Sequence, residues 1–134
     1  MTLVWSGDYS VKVGVFDGHH KKFFDIMNTL YDAMSARHGG TAVAKTINSL
    51  IEYTKYHFGE EERLMSKYNF EGAAQHKAEH QTFIKKVAEL KEKLDKGDTV
   101  IAIEAMRLLK DWFSKHILDT DKKYSLFFNE KGVV

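Results

Sequence analysis

Neither cysteine nor proline occurs in this 134-residue chain. Without cysteine, disulfides, thiolate metal sites and cysteine nucleophiles are all excluded. Proline breaks helix interiors, so its absence suits a chain made of long helices. No stretch approaches the roughly 20 apolar residues that span a bilayer, and the N-terminus lacks the basic segment and apolar run of a signal peptide. We therefore expect a cytoplasmic protein that has no membrane partner.

A surplus of one sign of charge is also missing. Lys and Arg number 20 and Asp and Glu number 19, so the formal net charge is +1. This balance gives no reason to expect nucleic acid or an anionic surface as partner. At this length we expect one domain, large enough to bury most of its apolar surface.

Apolar residues do recur at three- and four-residue steps in four segments, which is the spacing of one helical face. Glycine-containing breaks separate the segments at Gly39-Gly40, at residues 69–72 and at Gly97. Three helices begin near a favourable N-cap residue: Asp17, Thr41 and Asp98. Four amphipathic helices with short connections predict an all-α fold, an antiparallel up-down four-helix bundle.

The two ends of the chain are expected to lie outside the four helices. Residues 1–16 predict an irregular N-terminal arm, which Trp5 and Tyr9 pack onto the bundle. A short C-terminal helical tail from about Asp121 to Phe128 is expected to cover one end. In the fourth helix the predicted buried face comprises Ile101, Ala105, Leu108, Leu109, Trp112, Phe113, His116 and Ile117.

Five of the seven histidines fall on or beside the apolar faces. On the second helix His57 and Glu61 are four residues apart, so both project from one side of the helix. The third helix repeats this spacing with a pair of histidines, and the first and fourth helices carry one histidine each: His76, His80, His20 and His116. Burying a carboxylate without a partner costs several kcal/mol, and a metal cation would offset that cost.

Each of these features has a simpler explanation when taken alone. A single histidine on an apolar face is more often a hydrogen-bonded core residue than a ligand. The conjunction favours metal, because all four helices contribute an imidazole. Asp121 lies five residues after His116, off the face of an uninterrupted α-helix, where simple spacing prefers Asp119. A bend between Ile117 and Asp121 would bring Asp121 back, so helix geometry supports six ligands and leaves the seventh open.

The number and type of these ligands restrict the metal. Five imidazoles and two carboxylates are too many for one tetrahedral zinc ion, and they suit two ions bridged by the carboxylates. Mixed nitrogen and oxygen ligation favours iron or manganese over calcium or magnesium. The Glu-x-x-His motif of ferritin-like di-iron proteins does not occur in the sequence.

Four pieces of the sequence together resemble the hemerythrin family, specifically the single-domain bacterial hemerythrins. The matching pieces are Asp17-Gly-His-His20-Lys-Lys, His57-Phe-Gly-Glu-Glu61, His76-Lys-Ala-Glu-His80 and Trp112-Phe-Ser-Lys-His116-Ile-Leu-Asp-Thr-Asp121. The resemblance covers nearly the whole chain and implies a single hemerythrin-like domain over residues 1–134. The up-down bundle class already includes a member of this family, so the resemblance implies the same fold.

The resemblance also implies a ligand set and a function. One iron would be bound by three histidines, the second iron by two, and two carboxylates would bridge them: in that order His76, His80 and His116; His20 and His57; Glu61 and Asp121. An oxo or hydroxo bridge would complete the centre of Fe2+ or Fe3+ ions. The second iron keeps an open position for O2, which implies a non-enzymatic, reversible O2 binder used in storage, transport or delivery to an oxygen-consuming enzyme. The alternatives are an oxygen or redox sensor acting through a separate signalling protein, and a di-iron oxidase or peroxidase.

Two positions depart from the family's usual pattern. His19 stands where the family usually has Gln, and the helical register of its neighbours favours His20 as the ligand. His19 is then expected either behind the ligands or at the surface. Phe113 lies one turn before His116, where relatives commonly carry Leu, and we predict that it lines the O2 pocket. Glu60 and Glu62 leave the face defined by His57, and His38 is predicted to be exposed.

Overall fold

The computed structural model describes residues 3–35 and 40–134, and of residues 40, 41, 99 and 101 only the backbone. Four long helices occupy most of these residues: α1 Gly14–Ser35, α2 Gly40–Lys67, α3 Ala73–Asp95 and α4 Thr99–Lys115. Each helix contacts the next, and α1 also contacts α4, so the four form a closed ring. No strand occurs within the described ranges. The predicted all-α four-helix bundle is confirmed.

Short breaks reverse the chain where the sequence indicated them. After α2, Asn69 has a φ of 56°, and a Cβ at Gly72 would lie 2.7 Å from a ring carbon of Phe70. Only glycine fits against that ring without displacing it. After α3, Gly97 has a φ of +74°, in the left-handed region that glycine adopts most easily. Such short connections require neighbouring helices to run antiparallel.

The start of α1 differs from the prediction. The helix begins at Gly14, so Asp17 is not its N-cap. The Asp17 carboxylate instead accepts hydrogen bonds from the Val11 N–H at 2.8 Å and from the Ser10 hydroxyl at 2.7 Å. It therefore ties the N-terminal arm to the helix. Asp98 does precede α4, but its side chain makes no capping hydrogen bond.

Two further predictions about helix limits and faces need correction. Since α2 begins at Gly40, Thr41 lies inside the helix and is not its N-cap. The break at Gly39 and the exposure of His38 lie outside the described residues, as does the Ile101 side chain. Leu108 was predicted to be buried but is 64% exposed. It lies about 100° around the helix from the buried Leu109, which places it at the edge of the buried face.

The arm and the tail both pack on the bundle as predicted. Trp5 and Tyr9 lie against Phe24, with ring centroids 5.9 and 4.9 Å away. After α4 the chain passes through a π-helical turn, His116–Thr120, and a 3-10 turn, Asp121–Tyr124, into a short helix, α5 Ser125–Glu130. Among the described helices, none combines the length and apolar character that a membrane span requires.

Candidate metal centre

The seven predicted ligands come together at one end of the bundle. They lie near the start of α1 and α3, near the end of α2, and around the π turn that follows α4, as antiparallel neighbours allow. None is more than 3% exposed: His20, His57, Glu61, His76, His80, His116 and Asp121. The same amphipathic stripes that build the core therefore carry these polar side chains into it.

Their ligand atoms form two adjoining groups. One group contains three imidazoles and a carboxylate, and the other contains two imidazoles and a carboxylate: His76, His80, His116 and Asp121 in the first, His20, His57 and Glu61 in the second. Within each group the potential ligand atoms lie within 4.8 Å of one another. The unequal histidine content predicted from the resemblance is thus present in the geometry.

The two carboxylates face both groups. Asp121 places Oδ2 3.1 Å from Nε2 of His20, while its Oδ1 lies 2.8 Å from Nε2 of His76 and 3.0 Å from Nε2 of His116. Glu61 Oε1 lies 3.0 Å from Nε2 of His57 and 3.3 Å from Nε2 of His80. Carboxylates in these positions can span two adjacent cations.

A π-helical turn explains how Asp121 reaches the site. In this turn the Asp121 N–H donates to the carbonyl of His116, five residues earlier. Residues five apart therefore lie on the same side, whereas an α-helix would rotate the second one away. Asp119, which simple α-helical spacing favoured, is exposed. The expected bend between Ile117 and Asp121 is confirmed.

Most of the potential ligand atoms lack a hydrogen-bond partner in the part of the chain that the structure describes, and this shows whether the site suits a metal ion. Nε2 of all five histidines, Glu61 Oε1 and both Asp121 oxygens are buried, yet none meets the directional requirement of a hydrogen bond within the described residues. The short distances between them therefore reflect convergence on a shared space. Buried polar atoms without partners are costly, and imidazole nitrogens with carboxylate oxygens are the donor set that iron or manganese takes. The residues fit a pair of such ions.

The charges around the site suit a cation, but His116 must give up a proton to bind one. Burial lowers the pKa of His116, and Asp121 with the nearby glutamates outweighs burial and raises it to about 9. Burial lowers the pKa of His57 to about 4, so its ring is neutral near pH 7 and has a free lone pair. Burial raises the pKa of Asp121, but His116, His20 and His76 outweigh this effect and hold the pKa well below its usual range. Burial and Asp121 raise the pKa of Glu61, and neighbouring histidines outweigh them in the same way. Two ionised carboxylates are thus enclosed among imidazoles.

Two glutamates lie behind the histidines, and sequence reasoning did not predict their contacts. Glu62 lies 2.9 Å from Nδ1 of His80. Glu79 lies 3.4 Å from Nδ1 of His116, and it accepts a hydrogen bond from the Thr120 hydroxyl at 2.7 Å. Acceptors at Nδ1 orient a histidine so that Nε2 faces a metal. Glu62 leaves the face of His57, as predicted, but it turns toward a histidine of the neighbouring helix.

His19 takes the first of its two predicted places, behind the ligands. It is 9% exposed, and its Nδ1 lies 2.9 Å from Nδ1 of His57. Burial lowers the pKa of His19, with His20 acting in the same direction. A neutral His19 can accept a hydrogen bond from the His57 ring.

Aromatic side chains surround the candidate centre. Phe113 is fully buried, with its ring centroid 6.1 Å from that of His20 and 4.6 Å from that of Phe23. Tyr124 is also fully buried, and its hydroxyl donates a short hydrogen bond to Glu61 Oε2. Tyr124 was another contact that helical spacing did not predict, because it comes from the tail beyond α4.

Four antiparallel helices enclosing five imidazoles and two carboxylates define a metal-binding four-helix bundle. The chain belongs to the hemerythrin family, because the family model described as the Hemerythrin HHE cation binding domain matches residues 11–125. A bacteriohemerythrin of Methylococcus capsulatus is 32% identical over 123 residues, which cover 91% of this chain and 93% of the relative. Myohemerythrin-1 of Phascolopsis gouldii is 33% identical, covering 90% of each chain. A wild-type hemerythrin crystal structure superposes with a TM-score of 0.84 at 31% identity, covering 94% of this chain and 97% of its own.

Proposed function

We propose that this protein binds O2 reversibly at two non-haem iron ions, for oxygen storage, transport or delivery. The observation that carries the proposal is the pair of adjoining ligand groups, one with three histidines and one with two. Membership of a family that includes a bacteriohemerythrin and a myohemerythrin supports iron and O2 as the ligands. The proposed partner is O2 itself, and delivery would additionally require an oxygen-consuming enzyme as recipient.

The proposed assignment follows the two groups. His76, His80 and His116 would hold the first ion, and His20 and His57 would hold the second. Glu61 and Asp121 would supply oxygens to both ions, because each carboxylate faces both groups. Together with an oxo or hydroxo bridge, the iron pair supplies the reversible reaction with O2. The two-histidine group supplies one imidazole fewer, so an ion held there would keep a position open for O2.

The chain's own contribution is to orient the ligands and to exclude water. Phe58 stacks on His80 with ring centroids 3.7 Å apart, and Trp112 stacks on His116 at 4.8 Å. Phe113 covers the side of His20. Such a dry, aromatic enclosure strengthens electrostatic interactions within it and slows side reactions with water. That environment favours reversible binding over release of reduced oxygen species.

A cycling experiment tests the proposal. The iron-loaded protein is reduced without air, O2 is admitted, and the visible spectrum is followed through repeated removal and return of O2. A coloured adduct that forms and reverses over several cycles, with two irons per chain, is the expected result. Immediate conversion to the ferric form with release of peroxide would contradict reversible binding and favour an oxidase or a sensor. Metal-free protein taken through the same cycles is the control.

A further inference from the structure

Among the described residues, three of the five candidate ligand histidines have a side-chain partner at Nδ1, and the type of partner differs between the two groups. In the three-histidine group, His80 and His116 face the carboxylates of Glu62 and Glu79. In the two-histidine group, His57 faces the imidazole of His19. Nδ1 of His20, the other member of that group, has no hydrogen-bond partner within the described residues.

We propose that His19 is a positioning residue that holds Nε2 of His57 toward the metal, and that an imidazole in this place, where the other group has carboxylates, makes the two-histidine group the weaker iron site. This inference rests on the proposed iron centre. It assigns a role to a residue that is not itself a ligand. It also predicts that the two irons bind in a fixed order.

The positioning role follows from the tautomers of the two rings. A neutral histidine carries its proton on one ring nitrogen only. For His57 to bind metal through Nε2, which lies 3.0 Å from Glu61 Oε1, its proton must be on Nδ1. With the two Nδ1 atoms 2.9 Å apart, His57 then donates and His19 accepts. His19 must therefore carry its own proton on Nε2 and remain neutral.

The order of affinities follows from the charge of the acceptors. A carboxylate draws the Nδ1 proton more strongly than a neutral imidazole does, because hydrogen bonds to charged groups are roughly twice as strong. The histidine that donates to it becomes more basic and a better metal ligand. Glu62 and Glu79 strengthen their group in this way, whereas the second group has fewer imidazoles and no carboxylate at Nδ1. Iron should occupy the three-histidine group first and leave the two-histidine group first.

Each of these Nδ1 partners lies directly beside a candidate metal ligand in the sequence. His19 precedes the ligand His20, Glu62 follows the ligand Glu61, and Glu79 precedes the ligand His80. Neighbouring residues on a helix point about 100° apart. One of each pair therefore points into the centre, while the other turns toward a ligand on the next helix. His19 belongs to this arrangement, but it offers an imidazole nitrogen where the glutamates offer a carboxylate oxygen.

Calorimetric titration of metal-free protein with Fe2+, without air, tests the order. Wild-type protein should show two binding events of different affinity. His19→Leu should weaken the second event by roughly 10- to 100-fold, the usual effect of losing such a partner, and leave the first event unchanged. His19→Gln should restore it, since its amide oxygen can accept from His57. Glu62→Gln is the matched variant on the other group and should weaken only the first event.

Nuclear magnetic resonance of Zn2+-loaded protein tests the tautomer directly. His57 should carry its proton on Nδ1, with a downfield resonance typical of a hydrogen-bonded proton. That resonance should move upfield in His19→Leu and stay in place in His19→Gln. A purely structural effect of His19 would not follow this pattern. A proton on Nε2 of His57 in the Zn2+-loaded wild type would overturn the positioning role.

The outcomes separate this inference from the proposed function. Two Fe2+ ions bound with a single affinity, together with intact reversible O2 binding, would overturn the inference and leave the function standing. Fewer than two bound ions in wild-type protein would overturn both. If His19→Leu weakens both events equally while its circular dichroism matches wild type, the inference fails as well.

Discussion

The two ends of the bundle are equally buried but differ in what fills them. At the end formed by the start of α1 and the end of α2, the interior holds imidazoles and carboxylates, none more than 3% exposed. At the opposite end the described parts of the same helices contribute mainly apolar side chains of similar burial, with Lys110 buried over the Tyr31 ring: the apolar ones are Leu30, Met34, Leu50, Leu90 and Met106. Burial of the apolar end is favourable by itself. Burial of the polar end leaves unsatisfied atoms, so we expect its stability to depend on a bound cation.

The largest change in iron content should follow the removal of a carboxylate that faces both ligand groups. We expect Glu61→Ala to lose iron, because this carboxylate faces both ligand groups. Iron per folded chain, measured by elemental analysis, should fall from two to fewer than two. The matched control is Glu60→Ala, which removes the neighbouring, partly exposed carboxylate that pairs with Arg63; it should retain both irons. Two irons retained in Glu61→Ala would contradict the bridging assignment.

Removing iron from wild-type protein should destabilise the two ends unequally. A ligand present at about 1,000 times its dissociation constant contributes roughly 4 kcal/mol to the free energy of unfolding. Chelation should therefore lower the free energy of unfolding by about that amount per tightly held ion. In hydrogen exchange, amides of residues 16–24 in α1 should lose protection, while those of residues 26–34 should change little.

A cavity at the apolar end gives the complementary control. Leu50→Ala should cost about 2–5 kcal/mol in the free energy of unfolding, as buried leucine truncations do, and still bind two irons. Equal loss of amide protection at both ends after chelation would argue against a cation-dependent polar end. Loss of iron from Leu50→Ala would do so too.

Phe113 lies between the two ends of the bundle. Substituting it tests whether its ring keeps water out of the polar end. We expect Phe113→Ala to speed autoxidation of the O2-bound protein several-fold, because a fully buried ring beside His20 would be replaced by space open to water. The rate is measured from the decay of the visible spectrum in air. Leu109→Ala, one turn earlier in α4 and also buried, is the matched cavity and should leave the rate unchanged. Equal rates in wild type and Phe113→Ala would exclude Phe113 from the pocket.

Helical spacing predicted the parts of this molecule that depend on one helix at a time. The four helices, the breaks near Gly72 and Gly97, and the convergence of six polar residues all follow from three- and four-residue periodicity. That the converging residues bind iron stays a prediction. Asp121 could be assigned as a ligand only from the family resemblance. A π turn changes the helical periodicity, and no local sequence pattern predicted that turn.

Contacts between helices were beyond such reasoning. Glu62 was correctly removed from the face of His57, yet its orientation toward His80 depends on how α2 and α3 pack. Asp17 has a residue type that caps helices, but the arm competes for its carboxylate and the helix begins earlier. Leu108 was placed inside because it lies three residues after Ala105 and four before Trp112, at helical spacing. The exposure of Leu108 shows that the buried face of α4 is narrower than the face that its apolar residues predicted.

A further effect concerns the hydrogen bond that links the tail to the polar end. Tyr124 donates to Glu61 Oε2 from the 3-10 turn before α5, so the tail holds one shared carboxylate in place. Removing a hydrogen bond to a charged group costs about 1.5–3 kcal/mol, and Tyr124→Phe should weaken iron binding by roughly tenfold or more, measured by competition with a chelator. Tyr9→Phe is the matched control, since it removes a 2.7 Å hydrogen bond between the arm and Ser114 of α4 and should leave iron affinity unchanged. If both variants bind iron like wild type, the Glu61 carboxylate is held by the histidines and the metal alone, and the tail has no part in building the polar end.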